Sequence, residues 1–148
     1  MSKIKSYLEQ IISLNLGDTQ KRLYEDIITS GKSFNVDLFN IDRGLDHYCK
    51  INDAKAKECF KNSLLLALTY DNIQYVEGYM YSKELGFPIE HAWNTSSELD
   101  IIDTTMHINE TGIQVNEFFG VTIPKEVLLD YIETDQILTA LQYYSINK

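Results

Sequence analysis

The stretch KECFKNSLLLALTY at residues 57–70 decides the fold, because its last turns are apolar on nearly every face. A helix that is hydrophobic all round is normally buried, so this segment predicts a central helix inside the molecule. Cys59 lies at the front of this helix, and Asp71 with Asn72 ends it. The helix must therefore pack on whatever sheet the following residues form.

The residues after this helix have the character of β-strands. Three segments are rich in β-forming residues and are separated by turn sequences: IQYVEGYMYS (73–82), IEHAWNT (89–95) and DIIDTT (100–105). They predict an antiparallel meander of three strands. Residues 106–117 look loop-like, and FFGVTI (118–123) is a candidate short strand.

Helical segments flank this central region on both sides. Residues 2–14 carry apolar side chains at helical spacing, and Asp18 can cap a second helix that stops at Gly31. Residues 32–52 read as an irregular connection that holds a short helix or lines a site. Pro124 can open a further helix. The apolar positions of a last helix are Ile137, Leu138, Leu141 and Tyr144. This order predicts an α+β fold with extra N- and C-terminal helices, rather than βαβ alternation.

Length and composition fit one globular domain, residues 1–148. Apolar residues make up 44 % of the chain, which is enough to build a core. No apolar run approaches the roughly 20 residues that span a bilayer, so we expect no membrane partner. The first residues are charged and helix-patterned, without an apolar stretch before a cleavage site. We therefore expect a cytoplasmic protein.

The net charge of −9 is unevenly distributed along the chain. Residues 1–74 hold ten acidic and ten basic side chains, whereas residues 75–148 hold twelve acidic and three basic ones. A phosphate backbone would be repelled by the second half, so we expect no nucleic-acid partner. The acidic half suits a basic polypeptide or a cationic substrate, or it is only a solvated surface.

The two cysteines, Cys49 and Cys59, predict neither a disulfide nor a metal site. A cytosolic compartment keeps thiols reduced. No CxxC pair is present, and His47, His91 and His107 are not at metal-ligand spacing near the cysteines. Cys49 lies in the irregular connection with no helix directly after it. We therefore rank it below Cys59 as a nucleophile.

His91 is predicted to pair with Asp103. Strand alternation places Ile89, His91 and Trp93 on one face of the second strand. Asp103 lies on the third predicted strand, across a short hairpin turn, and neighbouring antiparallel strands are close enough for an imidazole–carboxylate hydrogen bond. Such a carboxylate fixes the histidine tautomer and stabilises the imidazolium.

Cys59 can supply a nucleophile to this pair. A cysteine near a helix N-terminus that faces a histidine forms a reactive thiolate, and its own N–H can help bind an oxyanion. This chemistry requires a helix that begins near Lys57, with residues 53–56 as a separate turn. If Asp53 caps the helix instead, Cys59 lies deep in the second turn, where the dipole effect has faded.

Four motifs in this order resemble the transglutaminase-like superfamily of papain-related cysteine enzymes. They are ECFKNSLLLAL with Cys59, YVEGY with Gly78, HAW with His91, and IIDTT with Asp103. The match covers about residues 55–105, within a core of about 53–124. The chain is also similar to small bacterial and phage proteins that join this core to an FFGVTIP-like segment, here at 118–124.

The resemblance implies a papain-like core, with the central helix packed on a small antiparallel sheet. It implies Cys59 as the nucleophile, His91 as general base and acid, and Asp103 as the residue that orients it. The reaction would be acyl transfer at an amide carbonyl of a polypeptide or small amide substrate, through a thioester and without a cofactor. Hydrolysis, deamidation and amine transfer share this chemistry, and we favour hydrolysis slightly.

Three further residues are candidates for substrate binding. Glu77 either faces the cleft and binds a cationic group, or lies on the solvent face of an edge strand. Trp93 is a wall of the site or a core residue. Asn62 lies one turn beyond Cys59, where it polarises a carbonyl or bridges the backbone.

The chain departs from larger family members just before the nucleophile. AKAKE stands in place of an aromatic-rich segment, and no glutamine lies at the papain-like upstream spacing; Tyr48 or Gln74 are candidate substitutes. The alternative function is therefore a catalytically inactive binding or inhibitor module on the same fold. Acyl transfer to a small amine from a thioester donor is a third hypothesis. The scarcity of basic residues after position 83 argues against its anionic carrier.

Overall fold

A computed structural model describes residues 2–14, 17–40, 44–51, 54–97, 99–109 and 113–148. Within these ranges the chain is α+β, with seven α-helices and one four-stranded antiparallel sheet. The helices are α1 (Lys3–Ile12), α2 (Asp18–Ser30), α3 (Leu45–Ile51), α4 (Cys59–Thr69), α5 (Thr104–Asn109), α6 (Lys125–Ile132) and α7 (Ala140–Ile146). The strands are β1 (Lys32–Phe34), β2 (Gln74–Tyr81), β3 (Ile89–Thr95) and β4 (Glu117–Ile123). Among the described residues, no helix combines the length and apolarity that crossing a membrane requires.

The sheet has the order β1-β4-β2-β3, so β2 lies in its interior. Gly78 at the middle of β2 faces His91 on one side and Gly120 on the other. A Cβ atom on Gly78 would lie only 2.2 Å from the carbonyl oxygen of Phe119. The close approach of β2 and β4 therefore requires glycine at position 78.

The third predicted strand, 100–105, is wrong. Ile101 and Ile102 make only isolated bridges, to Phe39 and Asn94 respectively, and α5 begins at Thr104. The predicted loop at 106–117 is accordingly wrong in its first residues, which belong to α5. The second neighbour of β2 is β4. This strand is the short one expected at 118–123, and it begins one residue earlier, at Glu117.

Both faces of the sheet are covered. One face packs against α1, α2, α4, α6 and α7 through a core that includes Leu64, Ala67 and Tyr75. The other face carries Trp93 and Phe118, among other buried side chains, and is covered by Phe39, Met106 and Val115. Trp93, fully buried, is enclosed on this second face.

Helix α4 is largely buried, as its composition predicts, although Leu65 remains 36 % exposed. It begins at Cys59, after a turn at residues 56 and 57 in which Lys57 adopts a φ of +66°. Cys59 occupies the first helical position, so the start of α4 is compatible with the one that the chemistry requires. Asp53, the rival cap, lies outside the described residues.

The connection at 32–52 holds a short helix, α3, which was one of the two alternatives for it. It also contains β1 and a short 3₁₀ turn at Val36–Leu38, which the sequence did not predict. Residues 35–40 of this connection run alongside residues 99–103, and Phe39 forms a parallel bridge to Ile101.

Candidate active site

His91 and Asp103 form a close, buried pair. The His91 Nε2 atom lies 2.6 Å from Asp103 Oδ2, and the two side chains are 6 % and 1 % exposed. The other carboxylate oxygen, Oδ1, accepts a hydrogen bond from the Met106 N–H at 3.0 Å. Asp103 therefore caps the start of α5 instead of lying on a strand, because this cap turns the chain away from the sheet after Ile102.

Cys59 meets His91 from the N-terminus of α4. The Cys59 thiol acts on His91, since its hydrogen bonding and its charge both contribute to raising the pKa of the imidazole. Since Nε2 is engaged by Asp103, the nitrogen left for the thiol is Nδ1. The three residues named from the sequence thus come together in the order sulfur, imidazole, carboxylate.

The electrostatics of the site favour a protonated imidazole. Burial by itself lowers the pKa of His91, but the charge and hydrogen bond of Asp103, joined by those of Cys59, raise it to about 10. An imidazolium beside a thiol stabilises the thiolate. This arrangement is the one that a cysteine nucleophile requires near neutral pH.

Cys49 has the opposite environment. Its thiol faces the backbone carbonyl of Thr104, at 3.9 Å. Burial, followed by the negative charge of Asp46, raises the pKa of the Cys49 thiol. Cys49 is therefore expected to be a poor nucleophile at neutral pH.

The two free cysteines offer an internal comparison of reactivity. With limiting iodoacetamide at about pH 6.5, where unactivated thiols are mostly protonated, we expect alkylation of Cys59 well before Cys49. Peptide mass spectrometry reports the site. The Cys59→Ser variant should lose the fast reaction and Cys49→Ser should keep it, whereas equal labelling of both thiols would contradict the assignment.

Glu77 is a buried residue of an interior strand, so its placement on the solvent face of an edge strand is wrong. It is 5 % exposed, and its carboxylate accepts hydrogen bonds from the Tyr75 hydroxyl at 2.7 Å and the Leu141 N–H at 3.1 Å. Burial raises the pKa of Glu77, although these two hydrogen bonds and one from Thr139 act to lower it. The carboxylate holds the start of α7, and the cavity it borders measures only about 20 Å³.

Trp93 is a core residue that also backs the site. It is fully buried, with its ring centre 5.4 Å from that of Phe34 and 5.0 Å from that of Phe118. The His91 ring stacks on it, with the ring centres 6.1 Å apart. This contact confirms that His91 and Trp93 share a face of β3.

Asn62 bridges backbone and side chain behind the nucleophile. Its Nδ2 donates to the Lys55 carbonyl at 2.7 Å and to the Thr105 hydroxyl at 2.8 Å, while its Oδ1 accepts from the Lys55 N–H. Both amide hydrogens are therefore engaged. Asn62 ties the turn before Cys59 to α5, which corresponds to the bridging alternative rather than to carbonyl polarisation.

Neither candidate for a replacement oxyanion donor lies beside Cys59. Gln74 pairs with Thr95, four residues along β3 from His91, which corresponds to about 13 Å. The Tyr48 ring packs on Tyr70, just past the opposite end of α4, with ring centres 5.3 Å apart. The donors at the site itself are the N–H groups of the first turn of α4, which have no partner within the helix.

A groove that sequence reasoning missed lies along the outer side of α4. It encloses about 620 Å³ between α4 and the α6–α7 connection. Its lining includes Phe60, Leu64 and Leu68, which recur at the four-residue spacing of one helix face. The signal was present in the sequence, because a helix apolar on every face exceeds what one sheet can cover.

Within the described ranges, no group of three or more His, Cys, Asp or Glu side chains is arranged to hold a metal ion. Comparison with protein-family models, curated proteins and solved structures found no match to this chain. The function of the chain is therefore inferred from the placement of Cys59, His91 and Asp103.

Proposed function

We propose that this chain is a cysteine-dependent acyl-transfer enzyme, with a papain-like core of the transglutaminase-like type. It acts on an amide bond of a polypeptide or small amide through a thioester intermediate. The observation that supports this most is the buried His91–Asp103 pair, on which Cys59 acts from the first position of a buried helix. Protease, deamidase and transglutaminase activities all use this chemistry.

The mechanism starts from a thiolate–imidazolium pair. The Cys59 sulfur attacks the amide carbon, and the carbonyl electrons move to an oxyanion that N–H groups of the first turn of α4 can bind. His91 Nδ1 then donates its proton to the leaving nitrogen as the carbon–nitrogen bond breaks. A thioester to Cys59 remains, and an amine or ammonia is released.

Resolution of the thioester uses the same histidine in the reverse sense. Neutral His91 removes a proton from water or from an acceptor amine, which attacks the thioester carbon and releases the Cys59 thiolate. Asp103 holds Nε2–H throughout and stabilises the imidazolium each time it forms. The groove along α4 gives room for an apolar part of the substrate, since its lining begins at Phe60, directly after the nucleophile.

Acylation by p-nitrophenyl acetate tests this proposal without knowledge of the natural substrate. We expect a burst of p-nitrophenol and one acetyl group per chain on Cys59, which hydroxylamine then removes. Cys49→Ser is the matched control and should retain the burst. The proposal is overturned if Cys59→Ser acylates as fast as the unaltered chain, or if the acetyl group is found on other side chains.

A catalytically inactive binding or inhibitor module is the second candidate. It is favoured by the burial of the His91 and Asp103 side chains, which leaves only Cys59 partly exposed. This alternative predicts a thiol at Cys59 that acylates no faster than a free cysteine. The same experiment therefore separates the two functions.

A further inference from the structure

Asn40 holds the backbone of Asp103 from a segment distant in sequence. Its Oδ1 accepts a hydrogen bond from the Asp103 N–H at 2.6 Å, and its Nδ2 donates to the Asp103 carbonyl at 3.2 Å. The Asn40 N–H in turn donates to the Ile101 carbonyl at 2.8 Å. One side chain thus contacts both backbone polar groups of the aspartate, whose carbonyl also accepts the His107 N–H at 3.1 Å.

The backbone of Asn40 is specialised for this contact. It adopts a φ of +50°, in the left-handed region that residues other than glycine rarely occupy, although asparagine does so more readily than most. A residue held in this region commonly serves a site that the surrounding structure supports.

Asp103 needs this support because it lies beyond the sheet. The bridge from Ile102 to Asn94 is the last ladder contact before it, so among the described residues no strand is paired with the buried Asp103 backbone. Buried backbone groups without partners are costly. The Asn40 amide takes the place that a neighbouring strand would otherwise fill.

We propose that Asn40 is a positioning residue for the Cys59–His91–Asp103 site, which fixes the Asp103 backbone so that its carboxylate meets His91 Nε2. This inference rests on the proposed function for its significance. The carboxylate is then fixed from three sides: by His91 at Oδ2, by the start of α5 at Oδ1, and by Asn40 through the backbone. The ionisable groups that act on His91 are Asp103 and Cys59, so uncharged Asn40 acts on it through Asp103.

The test is a titration of His91 followed by nitrogen-15 NMR of its ring. Asn40→Gly removes both side-chain contacts while glycine retains the left-handed backbone without strain. Weaker alignment of the carboxylate should lower the proton affinity of His91 about tenfold. The matched control is Asn35→Gly in the same segment, whose side chain caps the 3₁₀ turn at the Asp37 N–H and should leave the titration unchanged.

An unaltered titration in Asn40→Gly, or an equal change in both variants, would overturn the positioning role. Circular dichroism checks folding, and Asn40→Ala provides a second variant. If both Asn40 variants unfold while Asn35→Gly folds, the role of Asn40 is purely structural and the proposal fails. The titration does not depend on thioester chemistry. A changed titration without acylation of Cys59 would therefore reject the proposed function alone.

Discussion

Changing His91 to glutamine is expected to slow the alkylation of Cys59 roughly 100-fold at about pH 6. Glutamine is polar and of similar size, but it carries no positive charge to stabilise a thiolate. An unassisted cysteine, with an ordinary pKa of about 8.5, is less than about 1 % ionised at that pH. The rate of iodoacetamide incorporation, measured in a Cys49→Ser background, gives the comparison.

His107→Gln is the matched control for this prediction. His107 Nε2 lies 2.6 Å from Asp46 Oδ1, the same separation as in the His91–Asp103 pair. This second pair joins α5 to α3 and does not include His91 or Asp103. Its loss should leave the alkylation rate unchanged. At about pH 9.5, where ordinary thiols ionise without assistance, the difference caused by His91→Gln should nearly disappear. Equal effects of the two histidine variants would contradict the pairing of Cys59 with His91.

Trp93→Ala is expected to lower the free energy of unfolding by about 3–5 kcal/mol. The indole is fully buried and packs edge-on against Phe34 and Phe118. It also covers Gly120, where an added Cβ would lie 2.7 Å from the indole ring. Because no side chain on Gly120 can fill the space, truncation leaves a cavity. Urea unfolding gives the free-energy change.

Phe87→Ala serves as the reference for removing an aromatic ring. Phe87 is 56 % exposed, so its loss should cost less than about 0.5 kcal/mol. Trp93→Phe should fall between the two because the smaller ring keeps part of the packing. A loss of less than about 1 kcal/mol in the free energy of unfolding for Trp93→Ala would mean that the second face of the sheet is not a close-packed core.

Local sequence rules predicted the features that depend on neighbouring residues. Strand alternation placed His91 and Trp93 on the same face, and their stacked rings confirm it. This outcome depends on a few consecutive residues of one strand, so the local sequence contains the information needed. The start of α4 at Cys59 is different, because the capping signals left Asp53 open as the cap and only the chemistry required a later start.

Long-range pairing explains the features that sequence rules missed. The sequence leaves open whether Glu77 lies on an edge strand. The strand that encloses it, β4, comes about forty residues after β2, and no nearby residue indicates that the two pair. Asp103 was placed on a strand because isoleucines and threonines surround it. Its carboxylate instead caps α5, and its backbone is held by Asn40, 63 residues earlier. No local pattern announces partners at that distance.

The central proposal is that the His91–Asp103 pair activates Cys59 for acyl transfer. The most direct measurement is the iodoacetamide alkylation rate of Cys59 at about pH 6.5 in the Cys49→Ser chain, compared with the same chain carrying Asp103→Asn. The charge of Asp103 is the largest effect that raises the pKa of His91, so its loss should leave less imidazolium beside the thiol and slow alkylation roughly tenfold. Equal rates in the two chains would contradict the proposal.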